Sequence, residues 1–291
     1  MKKLLAILLA AIMILSIAAC SDKDEQNNKD DDKYKDTTVV VTEETFGTDT
    51  FHFETVDSET VEITKFTTTL DKAHEVKIPA YLDGKRVVGI GKEAFCYSSS
   101  IQTITFPTEA EYLAGDAEFD MSKHSFVIAD YAFRDCVALQ TLSFPAYVTE
   151  IGVGAFFGCS SLNSLTFAAE GTLAEIKDYA FMECISLTAV ELPASVKTVG
   201  VAAFYGCEAL ESVKINEGTE MILKQAFQNC SALASIELPA SLLTVGKFAF
   251  HGSDALYVGG ITYAGNSAEV ETYIKSLMLE EAPEVSVEPE A

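Results

Sequence analysis

The sequence predicts an α/β repeat solenoid, a right-handed superhelix built from units of roughly 23 residues. Three observations carry this. Ala203-Phe204-x-x-Cys207-x-x-Leu210-x-x-Val213-x-Ile215 returns 23 residues later as Ala226-Phe227-x-x-Cys230-x-x-Leu233-x-x-Ile236-x-Leu238. The Ala-Phe pair recurs with Phe at 95, 133, 156, 181, 204, 227 and 250, at intervals of 38, 23, 25, 23, 23 and 23. An aliphatic residue stands five places before each Phe, from Ile90 and Ile128 to Val199, Ile222 and Val245. A fixed period of this size marks units that cannot bury an apolar face alone and do so by stacking.

Each unit continues with L-x-x-L-x-L spacing, as in Leu162/Leu165/Phe167 and Leu187/Val190/Leu192. That is the leucine-rich-repeat pattern, a short strand with its apolar side chains turned inward. Alternation then sends Thr103, Thr105, Thr141, Ser143, Ser164, Thr166, Glu191, Ser212, Lys214, Ser235 and Glu237 outward. This concave column is small, hydroxylic and free of aromatics. It suits a flat hydrogen-bonding contact with a protein better than ring stacking on a sugar. Ser and Thr are also good solvent-facing strand residues in their own right.

In chain order, residues 1–19 read as a leader, with Lys2-Lys3 as a charged start and Leu4 to Ile14 as an apolar run. The run is too short and wrongly flanked for a permanent membrane helix. Ile17-Ala18-Ala19-Cys20 resembles the bacterial lipoprotein lipobox, which implies cleavage before Cys20 and a lipid on its sulfur. The alternative is an ordinary secretory signal cut after the small residues. Residues 20–36 are charged and nearly without hydrophobes, the composition of a disordered tether.

Residues 37–84 alternate at Phe51-x-Phe53, Val56, Val61-x-Ile63 and Val76-x-Ile78, which predicts an N-terminal antiparallel β cap. Asp83-Gly84 is a turn into the array, which runs over 85–256 in seven repeats. The first interval exceeds the period by 15 residues, and the excess falls at about 108–125. Insertions in such arrays map to a loop on one face, often the binding face. This one is acidic, and a solvated loop is expected. A calcium site there is conceivable, but no regular ligand spacing supports it. Residues 257–279 have helical spacing at Val270, Tyr273, Ile274 and Leu277 and predict a C-terminal helical cap. Residues 280–291 are an acidic tail expected to be disordered.

Cys136, Cys159, Cys184, Cys207 and Cys230 each stand three residues after the repeat Phe, with Ser253 in that place in the last repeat. Their spacing is the repeat period, with no C-x-x-C pair, so zinc is not expected. A column of parallel side chains fits disulfide geometry poorly, so the thiols are expected to be reduced and to act as small buried hydrophobes. Pro107, Pro145, Pro193 and Pro239 follow the strands, where no ladder donor is needed. Gly152, Gly200 and Gly246 recur just after the aliphatic position and read as turn residues.

The chemistry motifs are sparse. Four histidines, His52, His74, His124 and His251, share no metal-binding or nucleophile spacing and do not follow the repeat. No cofactor or metal is called for. The net charge of -24 disfavours nucleic acid and anionic lipid surfaces, which need a basic patch.

AFYGCEALESVKI, AFFGCSSLNSLTF and AFQNCSALASIELPASLLTVG resemble the BspA-like leucine-rich repeats of bacterial surface proteins, and TYAGNSAEVETY is similar to that family's closing segment. The resemblance implies a surface-exposed, non-catalytic solenoid that binds a host matrix or cell-surface protein. It also implies an exported protein, held to the membrane only through Cys20. The alternative is a surface accessory that captures a glycan or peptide nutrient for an uptake system. A purely structural envelope role is the third reading.

Overall fold

The computed structural model describes residues 42–120, 123–256, 260–264 and 276. The expected leader, the expected lipid site at Cys20, the expected tether, most of the expected C-terminal cap and the acidic residues 280–291 lie outside the described residues.

Strands β1 (Thr42–Phe46), β2 (Asp49–Thr55) and β3 (Thr60–Thr68) are antiparallel neighbours. Phe51, Phe53, Val61 and Ile63 turn inward and are buried, whereas Val56 sits exposed in the β2–β3 turn. β4 (His74–Lys77) follows, and β5 (Tyr81–Leu82) then pairs with β6 (Lys85–Ile90) across Asp83-Gly84. Both turn residues have positive φ, 48° and 70°, as a two-residue hairpin of the I′ type requires. β6 also lies parallel to β3, so β3 is already the first rung of the array.

Next come β7 (Ile101–Thr105), helix α1 (Glu109–Gly115) and β8 (Phe126–Ile128). Each later coil carries two short strands: β9 (Thr141–Phe144) and β10 (Val148–Ile151), then β11 (Ser164–Phe167) and β12 (Glu175–Ile176). The pattern continues with β13 (Ala189–Leu192) and β14 (Thr198–Val199), β15 (Ser212–Ile215) and β16 (Met221–Ile222), and β17 (Ser235–Leu238) and β18 (Thr244–Val245). β19 (Ile261–Tyr263) adds a rung beside β17 beyond the last repeat Phe.

The even-numbered strands from β6 to β18 form one parallel ladder in an eleven-stranded sheet that begins at β1. The L-x-x-L-x-L strands form two further sheets, β4-β7-β9-β11 and β13-β15-β17-β19. They separate at the 25-residue repeat, whose two extra residues lie between Phe167 and Ile176. A column of phenylalanines, Phe106, Phe144 and Phe167, ends at the same place and is replaced by Leu192, Ile215 and Leu238.

Apart from α1 in the insertion, the coils from β6 to β18 contain no α-helix among the described residues, which corrects the α/β expectation to a β-solenoid. The opposite side of each coil is made of hydrogen-bonded turns. Two residues per turn, two places before and two after the Phe, adopt positive φ: Tyr131 and Asp135, Tyr179 and Glu183, Ala202 and Gly206 are examples. The turns are laddered as well. Each repeat Phe from Phe95 to Phe227 donates its N–H to the carbonyl of the Ala in the next coil, at 2.7–2.8 Å.

Inside this ladder the rings stack. Phe66, Phe95, Phe133, Phe156, Phe181, Phe204, Phe227 and Phe250 follow one another at 4.7–5.9 Å between centroids, tilted by 22° or less. Offset stacking adds to the area burial of each ring. The alanine before each Phe is almost wholly buried. Gly152, Gly200 and Gly246 have another reason than a turn. None has positive φ, but a Cβ on Gly200 would stand 2.6 Å from Asp178 N, and one on Gly246 2.4 Å from Lys224 N. They admit the neighbouring coil's backbone.

The cysteine column lies beside the stack. All five thiols are fully buried and unpaired, and each donates to the carbonyl of the Phe one coil back, Cys207 Sγ to Phe181 O at 3.3 Å for example. Ser253 Oγ donates to Phe227 O at 2.9 Å, so the serine reproduces the same bond. Burial pushes the Cys136 and Cys207 thiols up to about 12.

Two outcomes are expected. Phe204→Ala, in the middle of the stack, costs about 3–5 kcal/mol by cavity formation, measured by denaturant unfolding. A loss below about 1 kcal/mol would remove Phe204 from the core. In a thiol titration of unreduced protein, the five column cysteines react only on unfolding. Fewer than about two free thiols after unfolding would show them paired.

Candidate functional site

The outward residues of β7, β9 and β11 form a hydroxyl ladder. Register sets Thr103 beside Thr141, Thr141 beside Ser164, and Ser143 beside Thr166. Thr103 Oγ1 and Thr141 Oγ1 are 3.2 Å apart, and Thr166 Oγ1 donates to Ser143 Oγ at 2.9 Å. At one edge Thr105 donates to Glu75 at 2.6 Å. Inward Ile104, Leu142 and Leu165 are buried, so packing fixes the direction of every hydroxyl on the outer side.

These six hydroxyl residues line an open hollow of about 570 Å³. Its other wall is Pro107, Thr108, Glu109 and Tyr147. The remaining candidates, Glu191, Ser212, Lys214, Ser235 and Glu237, occupy the second sheet, beyond the break. There Lys214 Nζ pairs with Glu191 Oε1 at 2.6 Å, and Asn216 donates to the same carboxylate. The hydrogen bond from Lys214, then that from Asn216, lowers the Glu191 carboxyl, while Glu191 raises Lys214 in turn. Both groups are exposed, so the pair contributes little to stability. The predicted face is therefore two fields, one neutral and hollowed, one flat and charge-paired.

The insertion forms the wall of the hollow and is not the solvated loop that its acidic composition predicts. It starts with α1, whose N-cap Thr108 accepts from Glu111 N while Glu111 returns a bond to Thr108 N. The helix lays Tyr112, fully buried, onto the array. Tyr112, Phe119, His124 and Tyr147 make one aromatic cluster, with touching rings 4.6–5.9 Å apart between centroids. Tyr81 donates to Tyr112 O at 2.7 Å, and Tyr147 to Pro107 O at 2.5 Å. Arg86 covers Phe119 at 5.4 Å and reaches Asp116 at 3.9 Å. The capping box T-x-x-E was readable in the sequence; the burial of Tyr112 against a tyrosine 35 residues on was not.

His124 is 9% exposed, and its Nε2 has no hydrogen-bond partner among the described residues. Burial, then the nearby Arg86 charge, pushes it from the ordinary 6.5 down to about 4. No group of three His, Cys, Asp or Glu side chains is placed to hold a metal among the described residues. No helix among them is long and apolar enough to cross a membrane.

A family model described as the BspA type leucine rich repeat region matches residues 62–125 and 126–257, in six copies. A solved leucine rich cell surface protein from Faecalibacterium prausnitzii A2-165 is 26% identical with a TM-score of 0.59, over 78% of this chain and 55% of that one. The chain thus spans about half the length of that protein. The leucine rich repeat protein of T. pallidum is 22% identical over 79% of this chain and 94% of its own, with a TM-score of 0.47. The pneumococcal vaccine antigen PcpA is 21% identical over 74% and 69%, with a TM-score of 0.48. No curated protein matches the sequence.

The His124 site generates a pH dependence. The unfolded chain takes up its proton near pH 6.5, while the folded chain resists until about 4. Stability is therefore full above pH 6.5 and falls as pH drops toward 4, by about 2 kcal/mol at pH 5. His124→Gln flattens that slope in urea midpoints taken from pH 7 to 5. An unchanged slope would place the proton uptake elsewhere.

Proposed function

We propose, from the premise that the chain belongs to the BspA-type leucine-rich repeat family, that it is a non-catalytic surface module that recognises a protein partner. The observation that carries this is the hydroxyl-lined hollow beside α1. Its side chains are short and held in place, so contact freezes few rotamers. Its outer rim continues onto a second flat sheet, giving the extended surface that a protein contact uses rather than an enclosed small-molecule site. The hollow holds no nucleophile–base pair.

The same proposal includes export through the leader at 1–19, lipid attachment at Cys20 and a tether over 20–36. A cap over 37–84 and the array at 85–256 follow, then a helical cap over 257–279, with a right-handed coil throughout. A leucine rich relative described as a cell surface protein agrees with exposure outside the cell.

The test is binding of the purified chain to immobilised extracellular-matrix proteins by surface plasmon resonance. Changing Thr141, Ser143, Ser164 and Thr166 together to Gln fills the hollow and is expected to weaken binding at least about tenfold, or about 1.4 kcal/mol. Thermal melting checks that the variant folds. Saturable binding that survives the four changes would move the contact off this face. No saturable binding to any matrix protein would overturn the adhesive reading.

A further inference from the structure

The face made by the Ala-Phe turns carries a feature that the strand face lacks. Arg134, one residue after the repeat Phe133, sits among three rings. Its guanidinium carbon lies 5.9 Å from the Tyr97 centroid, 5.8 Å from Tyr131 and 5.3 Å from Phe157. Arg134 Nε donates to Asp135 Oδ2 at 3.2 Å. Its two Nη groups have no hydrogen-bond partner among the described residues. Tyr97 is 64% exposed, more than any other aromatic side chain described.

The platform is built rather than incidental. Tyr97 and Tyr131 both hold positive φ, 60° and 56°, a conformation that a non-glycine residue keeps only when its surroundings fix it. Their N–H groups are tied to Arg134 O at 2.8 Å and Val153 O at 2.9 Å in the turn ladder. The Tyr131 ring occupies the space over Gly154, where a Cβ would stand 2.5 Å from it. The backbone that carries both tyrosines is therefore fixed, and the Tyr131 ring is seated, before any ligand arrives.

What such a platform fits follows from three requirements. The ligand needs an apolar face to lie on an exposed ring. It needs oxygen acceptors in the plane of two free Nη groups. It should carry no net negative charge, because Arg134 is balanced by Asp135 and the chain as a whole stands at -24. A sugar ring meets all three, with C–H bonds on its face and hydroxyls around its rim. We propose that Tyr97, Tyr131, Arg134, Asp135 and Phe157 form a binding site for a neutral glycan. One sugar ring stacks on Tyr97. Its hydroxyl oxygens accept from Arg134 Nη, and one hydroxyl donates to the Asp135 carboxylate. The site lies on the turn side of the coils and is separate from the hydroxyl hollow, so it stands or falls independently of the protein contact proposed there.

The test screens the full chain on a printed array of neutral glycans. It then follows migration through native gels cast with amylopectin, galactomannan or mixed-linkage β-glucan. Binding to at least one neutral glycan is expected. Tyr97→Ala and Arg134→Lys each weaken it at least tenfold, the second because an ammonium keeps the charge but loses the planar donor pair. Leu243→Gln, 77% exposed and part of neither site, leaves it unchanged. Melting curves within a few degrees of the parent confirm that the turn variants fold. Silence on the whole array and in all gels overturns the proposal, as does glycan binding that Tyr97→Ala leaves intact. Loss of matrix-protein binding in Tyr97→Ala, with no glycan bound by the parent, would make the platform a protein contact and overturn it equally.

Discussion

One contact sets the rest of the molecule: the approach of each coil's backbone to the next at the Ala-Phe pair. The Phe N–H reaches across to the alanine carbonyl of the following coil at 2.7–2.8 Å, and this repeats from Phe95 to Phe227. At that separation flat rings stack, thiols reach a carbonyl one coil back, and no methyl is tolerated at Gly152, Gly200 or Gly246. The composition of each column is thus a steric consequence of one spacing. Nearest-neighbour packing of this kind makes stability a sum over interfaces, so a defect in one coil is felt by two.

The columns that point inward were legible because burial leaves so few residue types. Phe, Ala, Cys and the aliphatic five before Phe each occupy a place that only a narrow range of volumes fits, and all proved buried. The second strand ladder was not legible. Its strands, such as β14 and β16, have only two residues, too short to show an alternation. The turns in place of helices were hidden for a related reason. Positive φ at Tyr131, Tyr179 and Gln225 is imposed by the ladder, not announced by glycine. Of the candidate site, alternation gave the hydroxyl residues but not the hollow, which needs α1, Pro107 and Tyr147 to close one side. The helix stands where it does because Tyr112 finds Tyr147, His124 and Phe119, an arrangement that only three dimensions reveal.

The array thus separates its chemistry by side. The strand side offers short, mutually bonded hydroxyls and one exposed ion pair. The turn side offers rings and a guanidinium on a rigid backbone. A coil has room for both because each side is set by different positions of the same 23 residues, and neither draws on the buried ones. Variation on one side leaves the core and the other side untouched, which is how a repeat scaffold carries more than one contact.

The break between β11 and β13 has a mechanical consequence. Tension applied between the two ends of the array meets its interfaces in series. At most of them two strand ladders and the turn ladder share the load, but where Phe167 gives way to Leu192 one strand ladder is missing. Between β6 and β18 that seam is crossed by the fewest ladders, so within this stretch it is the first to part under force. Because the coils on either side keep their own pairing, the molecule would lengthen there in one step while the hydroxyl hollow, wholly on the first side, stays intact.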